Sequence, residues 1–128
     1  MSVRDRIQIL VVDDMSTSRG LIVQALESFG IANIHHAANG SEALAAIAAR
    51  PVHLVISDYN MPGMDGLGLL GRLRSAPATR GLGFILVTGR ADQELVTRGR
   101  ALGMNNFLKK PFTTAELKSC LEAVVGRI

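Results

Sequence analysis

ILVVDD, at residues 9–14, joins a run of four apolar residues to two adjacent carboxylates. Similar junctions recur along the chain, where Asp58 follows LVIS, Thr88 follows FILV and Lys110 follows NNFLK. Strands of a parallel sheet that is covered on both faces are near-continuous apolar runs. Ligands of such α/β sheets bind beyond the carboxyl ends of the strands. We therefore expect Asp13, Asp14, Asp58, Thr88 and Lys110 to lie together in one site.

Apolar runs alternate with helical segments along the chain. The pattern predicts strands at 7–12, 34–37, 52–57, 84–87 and 105–109, and helices at 16–29, 41–49, 67–74, 92–102 and 113–125. Ser16 is a predicted N-cap, and Thr113 or Thr114 with Glu116 would begin the last helix. Gly30 and Gly103 are predicted helix ends. Strict alternation requires crossover connections, so the predicted fold class is α/β, a five-stranded parallel doubly wound sheet with five helices.

Length and composition indicate one domain over residues 1–128. A chain of 128 residues that is 48% hydrophobic suits a single core, and we expect no output domain. The sequence has no secretion signal and no apolar run of about 20 residues, so we expect a cytoplasmic monomer without membrane attachment. Cys120 is interpreted as a small buried apolar residue. His35, His36 and His53 lack metal-ligand spacing and are interpreted as exposed or packed side chains.

Three carboxylates at one edge of a sheet need a counter-charge. At about 4 Å each like-charge pair costs on the order of 4 kcal/mol at an effective dielectric of 20. A set of oxygen ligands favours Mg²⁺, which proteins hold with one or two carboxylates, waters and a phosphate. A phosphoryl group would then be met by the charge of Lys110 and the hydroxyl of Thr88. Asp58 is the candidate nucleophile, since no Ser, Cys or His occupies a competing strand end.

Four sequence blocks carry a resemblance to a known family. VVDD at 11–14, SDYNMPGMDG at 57–66, VTG at 87–89 and KPF at 110–112 resemble the receiver domain of two-component response regulators. The resemblance runs the whole chain and is strongest to the stand-alone chemotaxis members of the family. It implies a flavodoxin-like sheet in the strand order 2-1-3-4-5.

The resemblance also implies roles for the acidic residues. Asp58 would accept a phosphoryl group from a histidine kinase or from a small donor such as acetyl phosphate. Asp14 and Asp58 would bind Mg²⁺ directly, and Asp13 would assist through water. The backbone carbonyl of Asn60 would complete the protein ligands of the metal.

Further roles concern the basic, hydroxyl and aromatic residues. By the resemblance Lys110 would bridge to the phosphoryl group, the bond from Lys110 to Pro111 would be cis, and Thr88 would move to hydrogen-bond the phosphoryl group. Phe107 falls at the position of the family's switch aromatic and is expected to turn inward after phosphorylation. Arg90, like Asn60, is predicted to alter the lifetime of the phosphorylated state.

Three other functions fit the sequence less well. A haloacid-dehalogenase-like phosphohydrolase needs a second Asp two residues after its nucleophile, where this chain has Asn60, and an amide cannot exchange the required proton. A flavodoxin-like electron carrier would place a phosphate-binding loop where Asp13 and Asp14 stand. DNA binding is disfavoured because no output domain follows. The chain is therefore predicted to catalyse only its own phosphotransfer and dephosphorylation.

Charge is distributed unevenly along the chain. Residues 1–58 carry four basic and six acidic residues, net −2, whereas residues 59–128 carry ten and five, net +5. Arg98, Arg100, Lys109 and Lys118 are predicted to form a basic output face that meets an acidic partner. Three outputs remain open: binding a flagellar motor switch protein, draining a shared kinase as a phosphate sink, and relaying phosphate to a histidine phosphotransferase.

Overall fold

The protein is built on one sheet of five parallel strands. The computed structural model describes residues 2–89 and 92–128. In chain order the strands are β1 (Gln8–Val12), β2 (Asn33–Ala37), β3 (Leu54–Asp58), β4 (Gly83–Thr88) and β5 (Asn106–Lys109). Their spatial order is β2-β1-β3-β4-β5, as predicted. Val12 pairs with Ser57, Asp58 with Val87 and Thr88 with Lys109, so the carboxyl ends of four strands lie along one edge.

Six helices, not the predicted five, occur in the described part of the chain. They are α1 (Val3–Arg6), α2 (Ser16–Ser28), α3 (Gly40–Ala49), α4 (Gly66–Ser75), α5 (Gln93–Leu102) and α6 (Thr114–Val125). The additional helix, α1, is a single turn in which Ser2 N and Ser2 Oγ both donate to Asp5 Oδ2. Four residues are too few to show helical periodicity, so this turn was missed in the sequence.

The sheet is covered on both faces. Alternate residues of β1 point to opposite sides, so Ile9 and Val11 belong to one apolar cluster and Leu10 and Val12 to the other. Helices α2 and α6 supply the first cluster, and α3, α4 and α5 supply the second. This double burial explains why the inner strands β1, β3 and β4 are apolar at consecutive positions rather than at every second one.

The helix ends confirm most of the predicted caps. Thr113 Oγ1 accepts a hydrogen bond from Glu116 N, and Glu116 Oε1 accepts one from Thr113 N, which completes a capping box. Gly30 and Gly103 end their helices with φ of 92° and 96°. The prediction for Ser16 was wrong, because Met15 is the N-cap and Ser16 is already helical. Asp13 Oδ1 accepts a hydrogen bond from Met15 N at 3.0 Å and thereby organises the turn before α2.

Several strand bounds differ by one or two residues from those predicted. Ile7 precedes β1 instead of beginning it, whereas Asp58 and Thr88 are the last residues of their strands instead of following them. Cys120 is buried, as expected, and burial raises the pKa of its thiol to about 11. Within the described ranges, no helix is both long and apolar enough to pass through a bilayer.

Candidate functional site at the carboxyl edge

Three carboxylates meet where β1 and β3 end. Asp13 and Asp14 follow β1 directly, and Asp58 closes β3. One carboxylate oxygen from each lies within 4.8 Å of the others. Asp13 and Asp58 are buried, while Asp14 is exposed. The sheet thus brings together residues 44 or more positions apart in the chain, because neighbouring parallel strands end at the same edge.

Lys110 brings a positive charge to this cluster. Its Nζ lies 2.9 Å from Asp58 Oδ1 and 3.6 Å from Asp13 Oδ2. It also donates a hydrogen bond of 2.8 Å to Ser18 Oγ, in the first turn of α2. The backbone N–H of Lys110 donates to the carbonyl of Thr88 at 2.8 Å, and the bond to Pro111 is cis, as expected. No local pattern in the sequence points to Ser18, since its partner is 92 residues away.

The remaining predicted residues occupy different surroundings. Thr88 ends β4 and is buried, one residue beyond the pair formed by Asp58 and Val87. Asn60 is exposed in the loop after β3. Phe107 is half-buried in β5 and packs against the cluster under α3, α4 and α5, so it lies outside the acidic cluster. Arg90, predicted to modulate lifetime, lies outside the described residues.

Two glycines allow the loop after β3 to fold back on the site. Gly63 has a φ of 77°, which favours glycine. Gly66 begins α4 so close to the strand that a Cβ there would lie 2.6 Å from the carbonyl oxygen of Asp58. Its N–H donates to the carbonyl of Tyr59 at 2.9 Å. The MPGMDG segment, residues 61–66, is therefore held tightly against the end of β3 at Asp58.

The electrostatics of the site are unbalanced. Burial raises the pKa of Asp58 above its usual value, the hydrogen bond and charge of Lys110 lower it, and the charges of Asp13 and Asp14 raise it again. Asp13 Oδ2 is buried and accepts no hydrogen bond from the residues that the structure describes. An unsatisfied buried carboxylate oxygen is costly, so this atom indicates a missing ligand.

These donors fit Mg²⁺. The cluster offers only oxygen atoms, it carries three negative charges against one nearby ammonium, and Asp13 Oδ2 is available. Hard divalent cations prefer such oxygen ligands. Asp13, Asp14 and Asp58 would hold the ion.

Comparison with known proteins agrees with this geometry. The family model described as "Response regulator receiver domain" matches residues 9–122, nearly the whole sheet and its helices. The chain belongs to the response regulator receiver family. Members of this family are signalling proteins, and the fold and the acidic cluster predicted from the sequence agree with that membership.

Similar proteins include chemotaxis regulators. A probable chemotaxis protein CheY of Rhizobium etli is 44% identical over 128 residues, covering 100% of this chain and 99% of that protein. Chemotaxis protein CheY-3 of Vibrio cholerae is 34% identical over 121 residues, covering 94% of this chain and 93% of that protein. The solved structure of Vibrio cholerae CheY4 has a TM-score of 0.87 at 29% identity, covering 94% of this chain and 99% of that one.

A solved structure outside the named chemotaxis proteins is equally similar in shape. A putative response regulator from Chloroflexus aurantiacus has a TM-score of 0.89 at 31% identity and covers 96% of this chain and 100% of that one. The fold is thus shared by receivers with different printed descriptions, and it does not by itself specify an output.

Proposed function

We propose that this receiver is a stand-alone response regulator that accepts a phosphoryl group on Asp58 from a histidine kinase in a Mg²⁺-dependent reaction. The observation that carries the proposal is the contact of 2.9 Å between Lys110 Nζ and Asp58 Oδ1 within the cluster of three carboxylates. It places a candidate nucleophile beside a fixed positive charge. Similar proteins that this chain covers over 93–99% of their own length support a receiver that acts without an attached output domain.

The transfer requires an ionised carboxylate at Asp58. One of its oxygens attacks the phosphorus atom of a phosphohistidine, an O–P bond forms and the P–N bond breaks. The bonding pair leaves with the imidazole nitrogen, which takes a proton from solvent. Lys110 favours the ionised form of Asp58 and stabilises charge on a phosphoryl oxygen. Mg²⁺, when bound, supplies further positive charge to the phosphoryl oxygens.

The switch that follows is proposed to run through Thr88 and Phe107. Thr88 lies at the end of β4, beside the strand that carries Asp58, and its hydroxyl would hydrogen-bond the phosphoryl group. Movement of Thr88 would open space for Phe107, which is already half-buried one strand away. Phosphorylation would then shift the population toward the conformation with Phe107 inward.

The output is proposed to be protein binding in chemotaxis, with a flagellar motor switch protein as the partner. The similar proteins named CheY support the chemotaxis role. Arg98, Arg100 and Lys109 are exposed and Lys118 is half-buried on α5, β5 and α6, which supports a basic face for an acidic partner. A phosphate sink and a relay to a histidine phosphotransferase are the alternative outputs.

A capture experiment distinguishes these outputs. The protein with Mg²⁺ and beryllofluoride, a phosphoryl mimic, is immobilised and offered a motor switch protein, a chemotaxis kinase and a histidine phosphotransferase. Mimic-dependent retention of the motor protein supports the proposed output. Retention of only the kinase or only the phosphotransferase would replace it with the sink or the relay. Charge reversal at Arg100 and Lys118 should weaken the retained complex and reduce its salt dependence.

Phosphoryl uptake is tested with acetyl phosphate as the donor. Wild type should incorporate phosphate in Mg²⁺ and lose most incorporation in chelator, and Asp58→Asn should incorporate none while keeping its fold. Asp65→Asn is the matched control. Asp65 is the N-cap of α4 in the same loop region, and Asn is an equally good N-cap. Equal uptake by Asp58→Asn and Asp65→Asn would overturn the assignment.

A further inference from the structure

The hydroxyl of Ser18 is the third partner of the Lys110 ammonium. Lys110 Nζ lies 2.8 Å from Ser18 Oγ, 2.9 Å from Asp58 Oδ1 and 3.6 Å from Asp13 Oδ2. An ammonium has three N–H donors and no acceptor. Two of them are used on Ser18 and Asp58, and the distance to Asp13 is too long for a hydrogen bond.

Of these three oxygens, Asp13 Oδ2 is the one that receives no hydrogen bond from the described residues. Asp13 Oδ2 is buried and accepts no hydrogen bond within the described ranges, although the ammonium is only 3.6 Å away. Attraction alone would draw the ammonium closer, since opposite charges at this distance attract each other strongly beside a buried carboxylate. The hydrogen bond to Ser18 holds Nζ on the side of α2 and opposes that movement.

We propose that Ser18 is a positioning residue: its hydroxyl holds Lys110 on Asp58 and away from Asp13 Oδ2, which keeps that oxygen available to a divalent cation. The inference rests on the proposed function only in assigning Mg²⁺ to the cluster. Without the hydroxyl, Nζ would lose its contact on the side of α2 and would move toward Asp13 Oδ2. The ammonium would then neutralise the atom that the cation needs.

The substitution Ser18→Ala isolates this effect. Ser18 is the third residue of α2, where alanine has a higher helix propensity than serine, so the variant should fold at least as well as wild type. Ser18→Thr keeps a hydroxyl and is the rescue variant. Ser16→Ala removes an exposed hydroxyl from the same turn and is the matched control.

Mg²⁺ affinity is the first measurement. Tyr59 follows Asp58, and the chain has one tyrosine and no tryptophan, so tyrosine fluorescence reports on the site. We expect the Mg²⁺ dissociation constant to rise roughly three- to tenfold in Ser18→Ala, as for the net loss of one typical hydrogen bond. It should return toward the wild-type value in Ser18→Thr and stay unchanged in Ser16→Ala.

The second measurement needs neither metal nor activity. The chain has three lysines, Lys109, Lys110 and Lys118, so ¹⁵Nζ resonances can be resolved by NMR in the metal-free protein. The Lys110 resonance should shift in Ser18→Ala and return in Ser18→Thr, whereas those of Lys109 and Lys118 should not move.

The outcomes separate this inference from the proposed function. Unchanged Mg²⁺ affinity in Ser18→Ala, or an unmoved Lys110 resonance, would overturn the role of Ser18 even if wild type is phosphorylated on Asp58. A wild type that binds no Mg²⁺ would also overturn it. If wild type binds Mg²⁺ and the variants behave as expected, but Asp58 takes up no phosphate, the positioning role stands and the proposed function fails.

Discussion

Polar residues pair with one another at the amino edge of the sheet, whereas like charges are held together at its carboxyl edge. At the amino edge, Gln8 N donates to His53 Nδ1 at 2.9 Å, and the side chain of Gln8 contacts His35 Nε2 at 2.8 Å. Arg50 lies 3.2 Å from His35 Nδ1. At the carboxyl edge, three carboxylates meet, Lys110 pairs with Asp58, and Asp13 Oδ2 receives no hydrogen bond within the described part of the chain.

This difference indicates that the carboxyl edge is the ligand-binding edge of the sheet. Polar groups that satisfy one another add stability and leave nothing for a ligand to complete. Like charges held together reduce stability until a cation binds between them. The contrast predicts that substitutions at the carboxyl edge alter chemistry and metal response, while those at the amino edge alter stability alone.

After removal of the acceptor Asp58 itself, the largest expected effect is that of Lys110→Ala on phosphoryl uptake. Removing the ammonium 2.9 Å from Asp58 should slow uptake from acetyl phosphate at saturating Mg²⁺ by about 100-fold, a loss typical of removing one preorganised electrostatic partner. Lys109→Ala, at the exposed neighbouring position, is the control and should change the rate little. Equal rates for the two variants would remove Lys110 from the proposed mechanism.

The next largest effect is the stabilisation of the folded protein by Mg²⁺ bound at the carboxyl edge. At a Mg²⁺ concentration about 100 times the dissociation constant, the free energy of unfolding should rise by about 2.7 kcal/mol. Asp14→Asn should reduce this rise, as followed by thermal unfolding with and without chelator. His53→Ala should lower stability by about 1 kcal/mol through its lost hydrogen bond, yet keep the full response to Mg²⁺. A reduced response in His53→Ala would break the contrast between the edges.

The smallest effect is in the pH dependence of stability. Burial, then the charge of Arg50 and then that of His36, lower the pKa of His35 below its usual value of 6.5. The unfolded chain therefore binds more protons at His35 than the folded protein does. The stability that neutral His35 contributes should be lost as the pH falls below about 6.5. His35→Gln should flatten the profile of unfolding free energy between about pH 7 and pH 5.5. An unchanged slope would show that His35 does not contribute.

Asp58 should change the stability with pH in the opposite direction to His35, and at lower pH. Its pKa is raised above 3.8, chiefly by burial, so the folded protein holds this proton more tightly than the unfolded chain does. In chelator, stability that is present at low pH should be lost as the pH rises through the folded pKa. Asp58→Asn should remove that loss, and chemical denaturation at a series of pH values measures both effects.

Much of this architecture could be predicted because it depends on local pattern. Apolar runs located the inner strands β1, β3 and β4, and the polar residues at their ends identified the edge where the carboxylates gather. The capping box of Thr113 and Glu116 was visible because both residues lie within one turn. The strand order followed from the family resemblance.

The features that were missed depend on contacts between distant residues or on very short segments. Ser18 has no local signal, because its importance comes from Lys110, 92 residues away. Ser16 has the composition of an N-cap, but the hydrogen bond from Met15 N to Asp13 shapes the preceding turn differently. The turn of α1 is too short for periodicity to show. Roles that depend on movement, such as that of Phe107, stay predictions.

The location of the phosphoryl group tests the account most directly. Wild type is incubated with acetyl phosphate and Mg²⁺, and the acyl phosphate is reduced with borohydride, which converts a phosphorylated aspartate to homoserine. Mass spectrometry of the peptides then identifies the modified position. We predict homoserine at position 58 and at no other aspartate, and none when Mg²⁺ is chelated. Homoserine at Asp13, Asp14 or Asp65, with Asp58 unmodified, would contradict the account.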